Sequence, residues 1–308
     1  MIYTLTMNPA IDMNIEGDGL YPNIVNRTRQ AQFTPNGKGL NVSTALQHYS
    51  VKSCTLGFYG GFSGRYIVEA VKKTKIDIIP SWIDETTRIN VFYFDGEKEF
   101  KLVNEGPYIN RENLNSMYLA LSEREDMEML VISGSLPKGV SESYLEKIGY
   151  LCKRKNTRLV LDVCVSNYAA LLKLNPFLIK PNDEELDKML NLKVTSEPEA
   201  IIALQKLHAL GAQNIFLTLG AEGSYFFNGQ QMFYVNARKI NLLSSACAGD
   251  VALGAFLSIF QKDAGMIKEA MIRASAAGAN SAEQAGPGDF SHAAEYERDI
   301  CVKRIAWK

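Results

Sequence analysis

A turn of small residues ends in an aspartate near the C-terminal end of the sequence. Residues 244–250 read Ser-Ser-Ala-Cys-Ala-Gly-Asp, and an apolar run follows at once over 251–257. This pattern predicts a helix with Asp250 in its first turn. Backbone N–H groups in such a turn, together with the helix dipole, form a site for an anion. Amides that stabilise negative charge beside a base are what phosphoryl transfer to a hydroxyl requires, whereas the alternative is an aspartate that merely caps a core helix.

The composition limits the class of protein. The chain has 308 residues, of which 46% are hydrophobic and 22% charged, which are ordinary values for a soluble globular protein. A net charge of −1 gives no general attraction to nucleic acid or to an anionic membrane. The longest apolar stretch, 251–260, is too short to span a bilayer, and the N-terminus begins as a strand without a basic leader. We therefore expect a cytoplasmic protein with no nucleic-acid or membrane partner.

The cysteines and histidines predict neither a disulfide framework nor a metal site. The five cysteines are an odd number and show no Cys-x-x-Cys spacing. The three histidines lie far apart in the sequence. These features favour reduced thiols in a cytosol.

Short apolar runs alternate with helical patterns along most of the chain. The runs lie at 54–58, 129–132, 158–161, 177–179 and 214–218. Helices are predicted from about residues 65 and 142. Because the runs are apolar throughout, they are typical of parallel strands with helices on both faces of the sheet.

Two segments depart from this pattern. Residues 10–35 and 87–104 show alternation and look like hairpins, the second with Asp95-Gly96 as its turn. We expect one domain over residues 1–308, with these hairpins inserted as a small lid sheet.

The segments that follow the predicted strands are rich in Gly, Asn, Ser and charge, and ligands bind at that edge of such sheets. Two common phosphate motifs are excluded there. Gly37-Lys38 is followed by Gly39, and Gln32 stands where the first glycine of a P-loop would be. The glycines between 57 and 64 do not form G-x-G-x-x-G, so a dinucleotide cofactor is not expected.

Seven motifs occur in one order along the chain. They are T-x-N-P-A-x-D at 6–12, G-K-G-x-N-V at 37–42, T-R-I-N at 87–90, S-G-S-L-P at 133–137, K-P-N-x-x-E-L at 180–186, L-G-x-x-G at 219–223 and A-G-D at 248–250. From residue 4 to about 286, the chain resembles the carbohydrate-kinase family that includes ribokinase and the minor phosphofructokinases. The likeness is greatest to its 1-phosphofructokinase and tagatose-6-phosphate kinase branch. The resemblance implies an α/β, ribokinase-like fold, with a mainly parallel central sheet, helices on both faces and a small β-sheet lid.

The resemblance implies roles for the residues of the turn at 244–250. Asp250 matches the base that takes the proton from the acceptor hydroxyl. Ala248, Gly249 and the amide of Asp250 match the anion hole around the transferred phosphoryl group. Cys247 stands where the family usually has a glycine. A cysteine at a helix N-terminus can have a lowered pKa, so this thiol is expected to be sensitive to oxidation or alkylation.

The first three motifs match positions that bind the sugar. Asp12 matches the aspartate that binds sugar hydroxyls, although such a residue is otherwise a turn residue. Gly37, Gly39 and Asn41 match the turn that lets the backbone approach the sugar, and an ordinary loop is their alternative. Asn36 replaces the first glycine of the usual G-G-K-G, and asparagine tolerates a positive φ angle.

Three polar side chains are candidates for a phosphate already present on the substrate. Lys38 lies between two glycines, and Arg88 lies on a predicted lid strand from which it could close over phosphoryl oxygens. Ser135 is a further donor. Solvated surface charge is the alternative for the two basic residues, and kinases of unphosphorylated sugars are not expected to carry this pair.

The last motifs match the nucleotide site. The candidate contacts to ATP are Lys180, Asn182, Thr218, Gly220, Gly223, Ser245 and Ala279, the last within an alanine-rich helix at 274–282. Asn182 and Glu185 match the segment that supports Mg²⁺, mainly through water. The same segment also reads as a helix N-terminus, with a proline and several acids. The D-x-S-G that the family commonly has after its middle strand appears here as Asp162-Val163-Cys164-Val165.

The resemblance thus implies an ATP- and Mg²⁺-dependent kinase for a phosphorylated ketohexose. The first expectation is conversion of fructose 1-phosphate to fructose 1,6-bisphosphate, and tagatose 6-phosphate is the alternative substrate. Two other classes stay open: a kinase for an unphosphorylated sugar or nucleoside, and a non-catalytic sugar-phosphate or nucleotide sensor on the same fold. The family analogy also allows a homodimer through the lid.

Overall fold

A computed structural model describes residues 1–284 and 286–307 of the chain. Its strands are β1 (Ile2–Thr6), β2 (Ala10–Gly17), β3 (Thr28–Asn36), β4 (Ser53–Gly60), β5 (Asp77–Ile83), β6 (Arg88–Phe94), β7 (Glu99–Leu102), β8 (Met129–Ser133), β9 (Arg158–Asp162), β10 (Leu178–Ile179), β11 (Ile215–Thr218), β12 (Ser224–Phe227), β13 (Met232–Val235) and β14 (Val302–Arg304). Its α-helices are α1 (Lys38–His48), α2 (Gly61–Lys72), α3 (Arg111–Ser122), α4 (Glu142–Lys155), α5 (Tyr168–Leu172), α6 (Asp183–Leu190), α7 (Glu197–Ala209), α8 (Ala248–Phe260), α9 (Ile267–Ala282) and α10 (Ala293–Tyr296). No helix within these residues is long and apolar enough to cross a membrane.

The larger sheet has the strand order β14-β13-β12-β11-β10-β9-β8-β1-β4-β5. The run from β11 to β5 is parallel, and β12, β13 and β14 continue it with antiparallel pairing. Thr6 pairs with both Gly57 and Ser133, and Ser133 pairs with Asp162. The carboxyl ends of β1, β8 and β9 therefore lie side by side, and this edge carries the candidate site.

Helices cover both faces of this sheet. Along β1, Leu5 packs into one core with Leu145 of α4, while Ile2 packs into a second core with Leu253 of α8 and Val42 of α1. Successive residues of a strand point to opposite faces, so a strand with helices on both sides must be apolar at every position. This confirms the predicted α/β fold with a mainly parallel sheet.

A smaller sheet has the order β3-β2-β6-β7 and stands apart from the larger one. β2 pairs with β3 and β6 with β7 in antiparallel hairpins, while β2 and β6 run parallel. This register aligns Asp12 with Asn90, and Ala10 with both Arg88 and Asn36. The hairpins thus place polar side chains of two distant motifs next to one another.

The start of α2 differs from the prediction. The helix begins at Gly61 rather than near residue 65. A Cβ atom on Gly60 would overlap the carbonyl oxygen of Glu85. The glycine run that suggested a loop thus serves close packing at the beginning of the helix.

Candidate active site

Asp250 lies in the first turn of α8 and lines a cavity at the carboxyl ends of β1 and β8. Its side chain is buried, and Nδ2 of Asn41 donates to its Oδ2 at 2.9 Å. Burial raises the pKa of Asp250 to about 7, although the positive charge of Lys38 opposes the shift. A carboxyl group with this pKa is suited to accept a proton near neutral pH.

The backbone amides before Asp250 are not equally available. The amide of Ala248 donates to Ser245 O at 3.3 Å, and that of Asp250 donates to Cys247 O at 3.1 Å. The amide of Gly249 has no hydrogen-bond partner within residues 1–284 and 286–307. A Cβ atom on Gly249 would lie 3.4 Å from Nζ of Lys180. A free amide and an ammonium group therefore adjoin at this helix N-terminus, where an anion is favoured.

Two lysines and two carboxylates form an ionic cluster beside this turn. Lys180 Nζ lies 3.0 Å from Asp162 Oδ1, and both side chains are almost fully buried. Lys38 Nζ lies 3.8 Å from Asp162 Oδ2 and 3.6 Å from Glu185 Oε1. Burial alone would raise the pKa of Asp162, but the two ammonium groups outweigh it and hold the pKa below its ordinary value. The negative charge of Asp162 in turn raises the pKa of the Lys38 ammonium group.

Asp12 is held by two asparagines. Asn90 Nδ2 donates to its Oδ1 at 2.8 Å, and Asn36 Nδ2 donates to its Oδ2. Burial raises the pKa of Asp12, while these two bonds and the charge of Arg88 oppose the shift. Each carboxylate oxygen has more than one lone pair, so both can still accept a hydroxyl.

Arg88 reaches from β6 into the same cavity as Lys38. Its terminal nitrogens donate to Asn104 O at 2.8 Å and to Asn8 O at 3.0 Å. Its Nε is buried and has no partner among the described residues. Burial lowers the pKa of Arg88, so this guanidinium group is a partly desolvated cation. Only two of its five N–H groups donate to described residues, so an anion in the cavity would compensate the charge and accept from the remaining donors.

The cavity that these side chains share has a volume of about 230 Å³. It brings together Asn36, Lys38, Arg88, Ser135 and Asp250. The hydroxyl of Ser135 accepts a bond from Asn8 Nδ2 at 3.3 Å. The cationic side chains of Lys38 and Arg88 therefore line the same cavity as the buried carboxyl group of Asp250.

Two glycines at the start of α1, Gly37 and Gly39, are required by packing inside the protein. A Cβ atom on Gly39 would lie 2.7 Å from Oγ1 of Thr6, and one on Gly37 would also press on that side chain. Thr6 Oγ1 in turn accepts a bond from the amide of Leu40 at 3.1 Å. Thr6 thus packs against both glycines, and Gly37 also lines the cavity, so the predicted approach of this turn to the sugar stays a prediction.

The segment at 180–186 forms the N-terminus of α6. The side chain of Asn182 accepts from the amide of Glu185 at 2.7 Å, and Glu185 accepts from the amide of Asn182 at 3.0 Å. A parallel bridge joins Asn182 to Thr218, which brings the two predicted nucleotide loops together. Thr218 Oγ1 also donates to Pro181 O at 3.5 Å.

The remaining predicted nucleotide contacts lie in the turn after β11, just before α8 and on α9. Gly220 and Gly223 have φ angles of 55° and 88°, in the left-handed region that favours glycine. Ser245 is exposed just before α8, and Ala279 is buried on α9. α9 approaches α8 closely, since a Cβ atom on Gly278 would lie 3.3 Å from Ala248 O.

Comparison with known proteins identifies the family. The family model described as pfkB family carbohydrate kinase matches residues 2–294. The chain belongs to this family. D-tagatose-1-phosphate kinase of Klebsiella oxytoca is 45% identical over 307 residues, which is 99% of this chain and 100% of that protein. A 1-phosphofructokinase of Bacillus subtilis is 32% identical over 85% of this chain and 86% of its own length.

Solved structures support the same fold. The crystal structure of phosphofructokinase-2 from Escherichia coli in complex with potassium matches with a TM-score of 0.89. The match covers 97% of this chain and 98% of that chain, at 24% sequence identity. At this identity the likeness is evidence for the fold alone. It confirms the predicted ribokinase-like architecture of this pfkB family member.

The prediction of a lowered thiol pKa at Cys247 is wrong. The side chain is 2% exposed, and burial together with the charges of Asp250 and Asp12 raises the pKa of the thiol. Nδ2 of Asn41 lies 3.4 Å from its Sγ. The N-terminus of α8 favours a thiolate at this position. Burial away from solvent and the nearby carboxylates disfavour the thiolate more strongly.

Sequence reasoning missed four polar residues of the site in this kinase. They are Asn8, Asn36, Asn90 and Asp162, of which Asn36 and Asp162 were noted only as departures from the family pattern. The available signal for Asp162 was its place directly after an apolar strand, at the edge where ligands bind. For Asn90 the signal was its alignment with Asp12 across two predicted hairpins.

Mg²⁺ fits this site only with water or phosphate among its ligands. In the described part of the chain, no group of three or more His, Cys, Asp or Glu side chains could hold a metal ion. Asn182 and Glu185 are engaged with each other's amides at the start of α6. Such an arrangement suits an ion that keeps several waters, as Mg²⁺ does.

Proposed function

We propose that this chain transfers the γ-phosphoryl group of ATP to the free primary hydroxyl of a ketohexose 1-phosphate. Its first substrate is D-tagatose 1-phosphate, and the product is tagatose 1,6-bisphosphate. The support for this substrate is the 45% identity to D-tagatose-1-phosphate kinase over almost the whole of both chains. Tagatose 1-phosphate was not among the substrates that the motifs suggested.

The observation that carries the kinase chemistry is the position of Asp250. It is a buried carboxyl group with a pKa raised to about 7 by burial, and it shares a cavity with Lys38 and Arg88. Asp250 takes the proton of the acceptor hydroxyl as the oxygen attacks the phosphoryl group. The free amide of Gly249 stabilises the charge that develops on that group.

Arg88 and Lys38 bind the substrate through charge. The guanidinium group of Arg88 donates to the phosphate that the sugar already carries, with Ser135 as a further donor. Asp12 accepts sugar hydroxyls. Arg88 holds the phosphate end of the sugar phosphate, which leaves its primary hydroxyl at the other end to meet Asp250. Lys38 lies near Asp250 and pairs with Asp162 and Glu185, so its charge acts closer to the reacting end.

ATP binds along α8, α9 and the loop at 219–223. Lys180 and the amide of Gly249 bind the ATP phosphates at the N-terminus of α8. The rest of the nucleotide contacts Thr218, Gly220, Gly223, Ser245 and Ala279. Asn182 and Glu185 would hold Mg²⁺ through water, and the ion would supply positive charge against the phosphates. The whole chain acts as one kinase domain with its lid sheet over the sugar.

Fructose 1-phosphate is the second candidate substrate. The relative from Bacillus subtilis named 1-phosphofructokinase favours it. Tagatose and fructose differ only in the configuration at C4, so both present the same phosphate and the same primary hydroxyl. Discrimination between them must come from side chains that contact ring hydroxyls, such as Asp12.

The test is release of ADP from Mg·ATP in the presence of tagatose 1-phosphate, fructose 1-phosphate, tagatose 6-phosphate, fructose 6-phosphate or free fructose. Asp250→Asn is expected to lower kcat by about 10³-fold or more, because the proton acceptor is lost. Asp263→Asn, a change of an exposed aspartate beyond α8, is the matched control and is expected to leave kcat unchanged. Turnover of free fructose alone would contradict the roles of Arg88 and Lys38. No turnover of any sugar would favour the sensor.

A homodimer through the lid is a further part of this proposal. The lid and its connecting loop expose large apolar side chains, including Ile24 at 63%, Val25 at 79% and Leu102 at 60%. Exposed apolar patches of this kind favour association. Light scattering is expected to give a dimer mass, and Val25→Asp is expected to give a monomer. Leu119→Asp, at an exposed site on α3, should leave the dimer intact.

A further inference from the structure

A continuous chain of hydrogen bonds joins Asp12 of the lid to Asp250 of α8. Asn36 Nδ2 donates to Asp12 Oδ2. Asn41 Nδ2 donates to Asn36 Oδ1 and to Asp250 Oδ2, at 2.9 Å in each case. Asp12, Asn41 and Asp250 are buried, and Asn36 is partly buried at the cavity wall. Two amides therefore connect Asp12, the proposed sugar ligand, to Asp250, the proposed base.

Asn36 controls the orientation of the Asn41 amide. The Nδ2 of Asn41 carries two hydrogens, and the two acceptors at 2.9 Å use both. Without the Asn36 side chain, one buried N–H of Asn41 loses its acceptor. The amide is then free to rotate away from Asp250 or toward the Sγ of Cys247, which lies 3.4 Å away.

The backbone does not explain why an asparagine is present here. Asn36 ends β3 in register with Ala10, and the positive φ angles of non-glycine residues in the described chain occur elsewhere. The tolerance of asparagine for a positive φ angle is therefore not used at this position. Its side chain, which a glycine would lack, makes the contacts to Asp12, Asn41 and the amide of Gly37.

We propose that Asn36 is a positioning residue that orients Asp12 directly and Asp250 through Asn41, so that one side chain sets both sugar recognition and proton acceptance. This inference rests on the proposed function of the two aspartates. Asn90 provides the matched comparison, because it donates to Asp12 Oδ1 at 2.8 Å but makes no hydrogen bond to Asn41 or Asp250 among the described residues.

The experiment compares Asn36→Gly, Asn36→Ala and Asn90→Ala with the wild-type enzyme in steady-state kinetics. Asn90→Ala is expected to raise the KM for the sugar phosphate about tenfold and to change kcat less than about twofold. It removes the partner of Asp12 and of the amide of Asn104, both of which lie on the sugar side, but no partner of Asn41 or Asp250. Both Asn36 variants are expected to raise the same KM about tenfold and also to lower kcat about tenfold, since Asn41 and Asp250 are loosened as well. The KM for ATP should stay within about twofold in all variants.

Melting temperatures identify a purely structural effect. If the Asn36 variants lower the melting temperature but keep both kinetic constants, the proposal is overturned. It is also overturned if they change KM alone, as Asn90→Ala does. If one of the two Asn36 variants does not fold, the other variant still tests the proposal. Absence of wild-type turnover on every ketohexose phosphate would instead refute the proposed function, and the role of Asn36 with it.

Discussion

The ammonium group of Lys180 lies 3.0 Å from the carboxylate of Asp162, and their side chains are 4% and 0% exposed. Both groups have lost their hydration, so each depends on the other for compensation of its charge. Lys38 approaches the other oxygen of Asp162 at 3.8 Å from the cavity side. The ionic cluster thus links the interior of the sheet to the substrate cavity.

Removal of Asp162 is expected to destabilise the protein strongly. Asp162→Asn removes the carboxylate that pairs with the buried Lys180 ammonium group, which costs about 3–5 kcal/mol in the free energy of unfolding. Glu128→Gln is the control, because Glu128 pairs with the N-terminal amine at an exposed site and should cost less than about 1 kcal/mol. Urea unfolding at neutral pH measures both. Equal losses in the two variants would contradict the dependence of Lys180 on Asp162.

Loss of Arg88 is expected to weaken binding of the sugar phosphate. Arg88→Gln removes a partly desolvated cation and its free Nε donor, so the KM for the sugar phosphate should rise about 10- to 100-fold. The KM for ATP should change little. Arg29→Gln is the control, because Arg29 lies on the same lid sheet but pairs with Asp18 at the surface. An unchanged KM in Arg88→Gln would indicate a substrate without a phosphate.

Cys247 is expected to resist thiol reagents. The nucleophile in alkylation is the thiolate, and the raised pKa and 2% exposure of Cys247 keep it protonated and covered. Iodoacetamide at pH 8 should label exposed Cys301 first, with activity retained, as mass spectrometry of digested protein can show. Cys301→Ser should remove this early label. If Cys247 were labelled early, and if ATP prevented that labelling, Cys247 would be a reactive thiol after all.

The parallel sheet and the N-terminus of α8 could be predicted from the sequence, because local residue patterns indicate them. Strands that are apolar at every position indicated a parallel sheet with two covered faces, and the turn before α8 indicated a helix N-terminus carrying Asp250. Both inferences depend on residues close together in the chain. Alternation at 10–35 and 87–104 indicated the hairpins of the small sheet, and the family resemblance added roles for the motif residues.

Contacts between distant segments could not be predicted in the same way. Asp162 lacks its usual motif neighbours, and its pairing with Lys38 and Lys180 depends on where three separate elements end. The pKa of Cys247 shows the same limit. A rule for isolated helix termini predicts a lowered value, but burial among carboxylates in the folded protein outweighs the helix dipole.

The activity is expected to fall on the acid side of neutrality. Burial raises the pKa of Asp250 to about 7, and only the ionised form accepts the proton of the substrate. Below that pH, kcat/KM should decrease about tenfold per unit, and above it the value should level off. The profile should be recorded with ATP varied and again with the sugar phosphate varied. A decrease at acid pH that is due to the base appears in both pH profiles. Ionisation of the sugar phosphate affects only the profile in which the sugar phosphate is varied.

Asn41 provides the directional control for this profile. Its hydrogen bond to Asp250 favours the ionised carboxylate and opposes the rise in pKa. Asn41→Ala should therefore move the acid limb to higher pH. A wild-type midpoint near pH 4, or a limb that Asn41→Ala leaves in place, would mean that the titrating group is not the buried Asp250.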